Sequence, residues 1–278
     1  MKYFICIALL LFSVTLFSQQ MNIISFNIRQ NTSNDGINAW PYRTEMATGL
    51  LRFHEADIFG LQEALHDQIM DIESKFPEFD WFGVGREDGK QEGEYSPVFY
   101  NKSKFILLKN ETFWLSETPE APGKGWDAAY NRVVSWGHFQ SKVTGKQFLV
   151  FNTHLDHIGK EARKNSTELI EQKIKELTQD KNLPVIITGD FNLTPESTPI
   201  ITLKKFVNDS REISLEPPYG PVGTFNGFKL EADLSNNRID YIFVKGAIDV
   251  LKYAALTDFK DHRFPSDHLP VFAKVQLK

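Results

Sequence analysis

After the first nineteen residues, apolar positions fall in short runs broken by Gly, Pro, Asn and Asp. Runs of this length, rich in Val, Ile and Phe, predict strands. Ten stretches fit: 22–28, 57–61, 80–84, 96–101, 105–115, 133–140, 147–153, 184–189, 239–244 and 269–277. A helical period instead predicts helices at 41–54, 65–75, 160–179 and 197–206. The third is the clearest, with Leu169, Ile170, Ile174 and Leu177 on one face and Glu and Lys elsewhere. Val185, Ile186 and Ile187 are apolar at consecutive positions, which indicates a strand covered on both faces. The mixture predicts one α/β domain over residues 20–278, with two packed sheets and helices outside them.

Charge and composition narrow the picture only at the N-terminus. With 41% hydrophobic and 24% charged residues the chain has ample core, and its net charge of −5 lacks a strongly basic nucleic-acid footprint. Residues 1–19 differ from the rest. Lys2 is their only charge, and the apolar run that follows ends near Ser18. That pattern predicts a signal peptide and export to the periplasm or the extracellular space. The run is short of the about 20 residues a membrane span needs. Cleavage would remove Lys2, taking the charge from −5 to −6, and Cys6, the only cysteine. The exported chain would then have neither a disulfide nor a thiolate metal site.

The polar residues that matter sit where apolar runs end. Asn27 lies late in the first strand, Glu63 just past the second, and Asn152, His154 and Asp156 close the seventh. Asp190 and Asn192 follow the most apolar run, Asp240 sits within another, and Asp267 and His268 precede the last. A buried carboxylate or imidazole is costly unless paired or bound to metal. Repetition at six places predicts one crevice at the end of the sheets. Oxygen donors without thiolates suit a hard cation, Mg²⁺ first, with Mn²⁺ or Ca²⁺ as alternatives. Two histidines and no Ser or Cys nucleophile motif point to water attack on a phosphoester.

Six segments in order carry a resemblance: "SFNIR" 25–29, "LQE" 61–63, "NTHLDH" 152–157, "TGDFN" 188–192, "RIDYIF" 238–243 and "SDHLPV" 266–271. Together they resemble the endonuclease/exonuclease/phosphatase superfamily of metal-dependent phosphoesterases, in a bacterial branch. The resemblance implies a four-layer α/β sandwich. It also implies Glu63, Asn27 and Asp267 at the metal. Asp190 would position the attacking water beside Asn192. His268, held by Asp240, would meet the phosphate, and His154 the leaving group. Asn152 and Arg132 would touch substrate. The expected partner is a phosphate ester, a small molecule before a nucleic acid.

Each segment also has a plainer reading. "TGDFN" makes an ordinary turn, "RIDY" a buried Arg–Asp pair, and Asp156 a carboxylate partner for a histidine. Arg132 could clamp a second phosphate or pair with a surface acid. Three rival functions stay open: a catalytically silent binding member of the fold, a secreted nuclease, and a glycoside hydrolase with paired carboxylates.

Overall fold

The computed structural model describes residues 19–179 and 181–278, so the expected signal peptide lies outside it except for Gln19. The strands begin with β1 (Gln20–Asn27), β2 (Ile58–Gln62), β3 (Phe79–Phe82), β4 (Val98–Asn101), β5 (Phe105–Trp114) and β6 (Val133–Ser141). They continue with β7 (Gln147–His154), β8 (Val185–Asp190), β9 (Asn208–Asp209), β10 (Asp240–Lys245), β11 (Ile248–Ala255) and β12 (Val271–Leu277). The helices are α1 (Thr44–Phe53), α2 (His66–Lys75), α3 (Lys160–Thr178), α4 (Thr198–Leu203) and the single turn α5 (Ser210–Ile213).

Two six-stranded sheets result, ordered β11-β12-β1-β2-β4-β3 and β5-β6-β7-β8-β10-β9. Only β1–β2 and β7–β8 are parallel neighbours. Parallel neighbours need a crossover, and α1 and α3 supply the two. Three apolar layers follow. The two sheets pack on each other through residues such as Ile23, Ile58, Val150, Ile186 and Ile242. On one outer face Phe59 and Leu61 meet Leu50 and Leu51 of α1 and Ile69 and Ile72 of α2. On the other, Phe151 and Ile187 meet Ile170 and Ile174 of α3 and Ile200 of α4. This is the pair of packed sheets with outer helices that the pattern predicts, and the four-layer α/β sandwich that the resemblance implies.

All ten predicted strands are present. Three short or irregular elements escape the pattern: β11, the two-residue β9 and α5. The helix expected from residue 41 starts at Thr44, because Pro41 lies in a separate 3-10 turn, Trp40–Tyr42. The helix expected to reach residue 206 stops at Leu203.

Every second residue of a strand faces the other sheet, and along that face the chemistry changes. Ile23 gives way to Ser25 and Asn27, Ile58 to Gly60 and Gln62, Val150 to Asn152 and His154, and Ile186 to Thr188 and Asp190. At the changeover Asn152 knots the sheets together. Its Oδ1 accepts from Gln62 Nε2 at 2.6 Å and Thr188 Oγ1 at 3.0 Å, while its Nδ2 donates to the carbonyls of Leu61 at 2.7 Å and Pro97 at 2.9 Å. Gly60 has to be glycine here, since a Cβ would lie 2.3 Å from Thr188 Oγ1 and 2.5 Å from Asn152 Oδ1.

Candidate active site

Beyond that knot the inward positions open to a rim. Register places Asp240 opposite Asp190, and His154 beside Asp190 on the other flank. Strands therefore hold three of the polar groups on rigid backbone. The rest come from the segments just past them, and two bend sharply: Glu63 has φ 58° and Asn192 φ 49°. A left-handed residue just past a strand redirects the side chain, at a local cost that is larger for Glu63 than for an asparagine. Asn192 N donates to Asp190 Oδ1 at 2.9 Å, so the turn that "TGDFN" favours is itself what fixes the carboxylate.

A cavity of about 650 Å³ lies on this rim, lined by Glu63, His154, Asp190, Asn192, Asp267 and His268 among others. Asp190 Oδ2 is its centre. It accepts from Asn27 Nδ2 at 3.0 Å and stands 3.5 Å from His154 Nε2 and 3.8 Å from His268 Nε2. His268 Nδ1 is bonded to Asp240 Oδ2 at 2.9 Å, which turns its Nε2 toward Asp190. Asn192 Nδ2 donates to His154 Nε2 at 3.0 Å. A neutral imidazole that accepts at Nε2 carries its proton on Nδ1.

The environment sets these groups apart. Burial, then the neighbouring Asp240, pushes the Asp190 carboxyl up to about 7. Burial alone would lower His268, but Asp240, Asp190 and Asp267 outweigh it and hold the imidazole well above its ordinary range. His154 goes the other way, driven well below that range by burial and by Arg132 and Arg86. The two histidines that flank Asp190 are thus pushed in opposite directions, His268 toward its charged form and His154 toward its neutral one.

The family model for the Endonuclease/Exonuclease/phosphatase family matches residues 24–268. This chain belongs to that family. A solved family protein from Bacteroides thetaiotaomicron is 40% identical with a TM-score of 0.90, over 94% of this chain and 96% of that one. A mannosyl-6-phosphatase of the same species is 41% identical with a TM-score of 0.87, over 92% of this chain and 99% of its own. Among curated proteins, the CCR4-Not complex 3'-5'-exoribonuclease subunit Ccr4 of Aspergillus niger is 26% identical over 86% of this chain and 48% of its own length. The chain spans about half the length of the curated relatives it matches. The Bacteroides structures bear out the bacterial branch of the endonuclease/exonuclease/phosphatase family.

The family is metal-dependent, and two donor sets are candidates. Asp190, Asp240 and His268 offer donor atoms within 4.8 Å of one another. That trio is already engaged: Asp240 Oδ2 holds His268, and both Asp190 oxygens accept amide hydrogens. The second is Glu63 with Asp267, which both line the cavity. Burial raises the Asp267 carboxyl, His268 opposes that, and the repulsion of Glu63 adds to it. A hard divalent cation relieves that repulsion with oxygen donors alone. Asn27 sits between the sets, donating to Glu63 Oε1 at 3.1 Å as well as to Asp190.

Asn152 is the expected site residue that the structure moves elsewhere. It is fully buried, three of its four hydrogen bonds reach across to the other sheet and the fourth ties it to Thr188 in its own, so it supports the floor and does not line the cavity. Asp156 partners no histidine but accepts four backbone amides. Arg132 pairs with no surface acid; it is buried beside Glu94 and Asp156. Arg86, Glu94, Tyr130 and Phe225 line the cavity and lie outside the sequence motifs; Arg29, the last residue of "SFNIR", lines it too but was assigned no role from the sequence.

Proposed function

We propose that this protein is a divalent-metal-dependent phosphoester hydrolase, acting on small phosphomonoesters. The observation that carries the reading is Asp190 Oδ2 standing between the Nε2 atoms of His154 and His268. A water held on Asp190 would lie next to a phosphate held by the charged His268, and Asp190 would take its proton. Asp240 keeps His268 in one orientation and one charge state, so the donor to phosphate needs no reorganisation. Glu63 and Asp267 would hold the cation, Mg²⁺ or Mn²⁺, whose charge offsets that developing on the phosphate oxygens. Uncatalysed phosphoester hydrolysis is slow enough that all these groups together must supply on the order of 20 kcal/mol.

A small ester is favoured over a polynucleotide by the cavity wall, where Glu63, Glu94, Asp190 and Asp267 offset Arg29, Arg86 and Arg132. A nuclease tracks its strand with a basic groove. The name of the 41%-identical mannosyl-6-phosphatase supports the same choice, and the exoribonuclease relatives supply the runner-up. Export completes the proposal and rests on the apolar run of residues 1–19.

The test is a panel of mono- and diesters with Mg²⁺ or Mn²⁺, before and after chelation, alongside His268→Ala. Turnover should vanish with chelator, return with metal, and fall at least about 10²-fold in the variant. Turnover that ignores both the chelator and His268→Ala sinks the reading. Single-stranded RNA cleaved faster than any monoester would move it to the nuclease.

A further inference from the structure

The cavity has a second wall, which the reaction at phosphorus leaves unused. Arg86 and Glu94 come from the loop between β3 and β4, Tyr130 and Arg132 from the loop between β5 and β6, and His157 follows β7. Glu94 Oε2 is its hub, 2.6 Å from Arg86 Nη1, 3.7 Å from His154 Nδ1 and 3.8 Å from Arg132 Nη1. Arg132 Nη2 donates to His157 Nδ1 at 3.2 Å. Its Nε and Nη1 are buried yet find no hydrogen-bond acceptor among the described residues. The Tyr130 ring is 50% exposed and stacks on His157 with centroids 5.9 Å apart and planes at 18°.

We propose that this wall is the leaving-group subsite and that it takes a neutral ring-shaped polyol, so that the alcohol released is a sugar. The proposal rests on the phosphoester reading above. The first support is continuity. His154 joins the two walls, with Nε2 toward Asp190 and Nδ1 toward Glu94, so the group leaving phosphorus has this wall as its neighbour.

The second support is the mixture of donors and acceptors. A hydroxyl both donates and accepts, and a carboxylate set between two guanidinium groups serves both needs. A second phosphate only accepts. It would meet guanidinium groups whose charge is already matched: Arg86 by Glu87 at 3.2 Å and Glu94, Arg132 by Glu94 and by Asp156 at 3.5 Å. Two cations against three carboxylates select against a further anion on the substrate. The third support is the half-exposed Tyr130 ring, an apolar surface beside these polar groups for the C–H groups of a pyranose, held by His157 stacked on it and by the Arg86 guanidinium 5.1 Å over it.

The experiment compares metal-loaded enzyme on glucose 6-phosphate, mannose 6-phosphate, methyl phosphate, adenosine 5'-monophosphate and a hexose bisphosphate. Expected is a kcat/KM at least about tenfold higher for a hexose 6-phosphate than for methyl phosphate, with no gain from the second phosphate. Glu94→Gln and Tyr130→Ala should each cost the hexose ester at least about tenfold more than they cost methyl phosphate. Tyr130 is half exposed, so its variant keeps the test alive if Glu94→Gln lowers the Tm. Equal losses on both esters, or a preference for the nucleotide or the bisphosphate, overturn the subsite. Calorimetry of mannose 6-phosphate against inorganic phosphate on Asp190→Asn separates the two readings. Tighter sugar-phosphate binding with no turnover of any ester by the wild type would remove the hydrolase and leave the subsite. Methyl phosphate turnover with no sugar advantage would do the reverse.

Discussion

Asp209 on β9 and Asp240 on β10 are buried carboxylates on neighbouring strands, and they use their charge in opposite ways. Asp209 is closed. Arg238 grips both its oxygens, at 3.0 and 2.5 Å, Arg211 N donates to it at 3.0 Å, and the guanidinium lies 4.4 Å over the Tyr241 ring. Asp240 is open. One oxygen holds His268, the other has no hydrogen-bond partner among the described residues, and the far side of His268 looks into the cavity. A guanidinium neutralises a buried carboxylate in place, whereas an imidazole passes its influence on through the second ring nitrogen. Burial alone therefore does not mark a functional carboxylate; what its partner touches next does.

The comparison breaks most sharply if one carboxylate of each kind is neutralised. Asp190→Asn should lower kcat by about 10³-fold, as loss of a positioned base does. Its urea midpoint should hold or rise, because one of two crowded buried carboxylates is gone. Asp209→Asn should do the opposite. Breaking one side of a buried pair strands the Arg238 charge and costs about 3 kcal/mol or more. The fraction still folded should keep kcat within about threefold, since the pair lies outside the cavity. An Asp209 variant with normal urea stability and no turnover would erase the distinction.

The same distinction explains what the sequence could and could not tell. "RIDY" invites pairing of Arg238 with Asp240, but Arg238 reaches across to Asp209 and Asp240 to His268. Both partners lie about 30 residues away in the chain, where no local pattern points. The ten strands were legible because each is a short apolar run bounded by turn residues. β11 was not, because Asp249 and Lys252 interrupt its apolar residues, and a bulge between Val250 and Lys252 shifts its register as well. Glu63, Asp190 and His268 stood out as charges against apolar strands. Arg86 and Glu94 sit in a loop reading "GREDGKQEGEY", where charges look solvated, and only the folded chain shows Arg86 buried and Glu94 half-buried between it and Arg132. Asn152 misled for the converse reason. A polar residue at the end of an apolar strand serves equally well as a knot between sheets.

A third carboxylate sharpens the comparison with the smallest effect. Asp156 is held by amides. Oδ2 accepts from Ala129 N at 3.1 Å and Tyr130 N at 3.3 Å, and Oδ1 from Ile158 N at 3.0 Å and Gly159 N at 2.7 Å, just ahead of α3. Burial would raise its pKa, but the amide donors and Arg132 outweigh burial and bring it down to about 2. A depressed carboxylate stabilises the fold above its unfolded pKa of about 3.9, and that stabilisation disappears as pH falls through the folded value. Asp156→Asn should therefore be less stable than wild type by about 1–2 kcal/mol at pH 7. The gap in urea midpoint should narrow between about pH 4 and about pH 2. A gap that stays constant with pH would mean that the side chain's shape, and not its charge, organises the loop that carries Tyr130. If charge does, the variant should raise KM for a sugar phosphate more than it lowers kcat, because the loop it loosens holds the leaving-group wall and not Asp190.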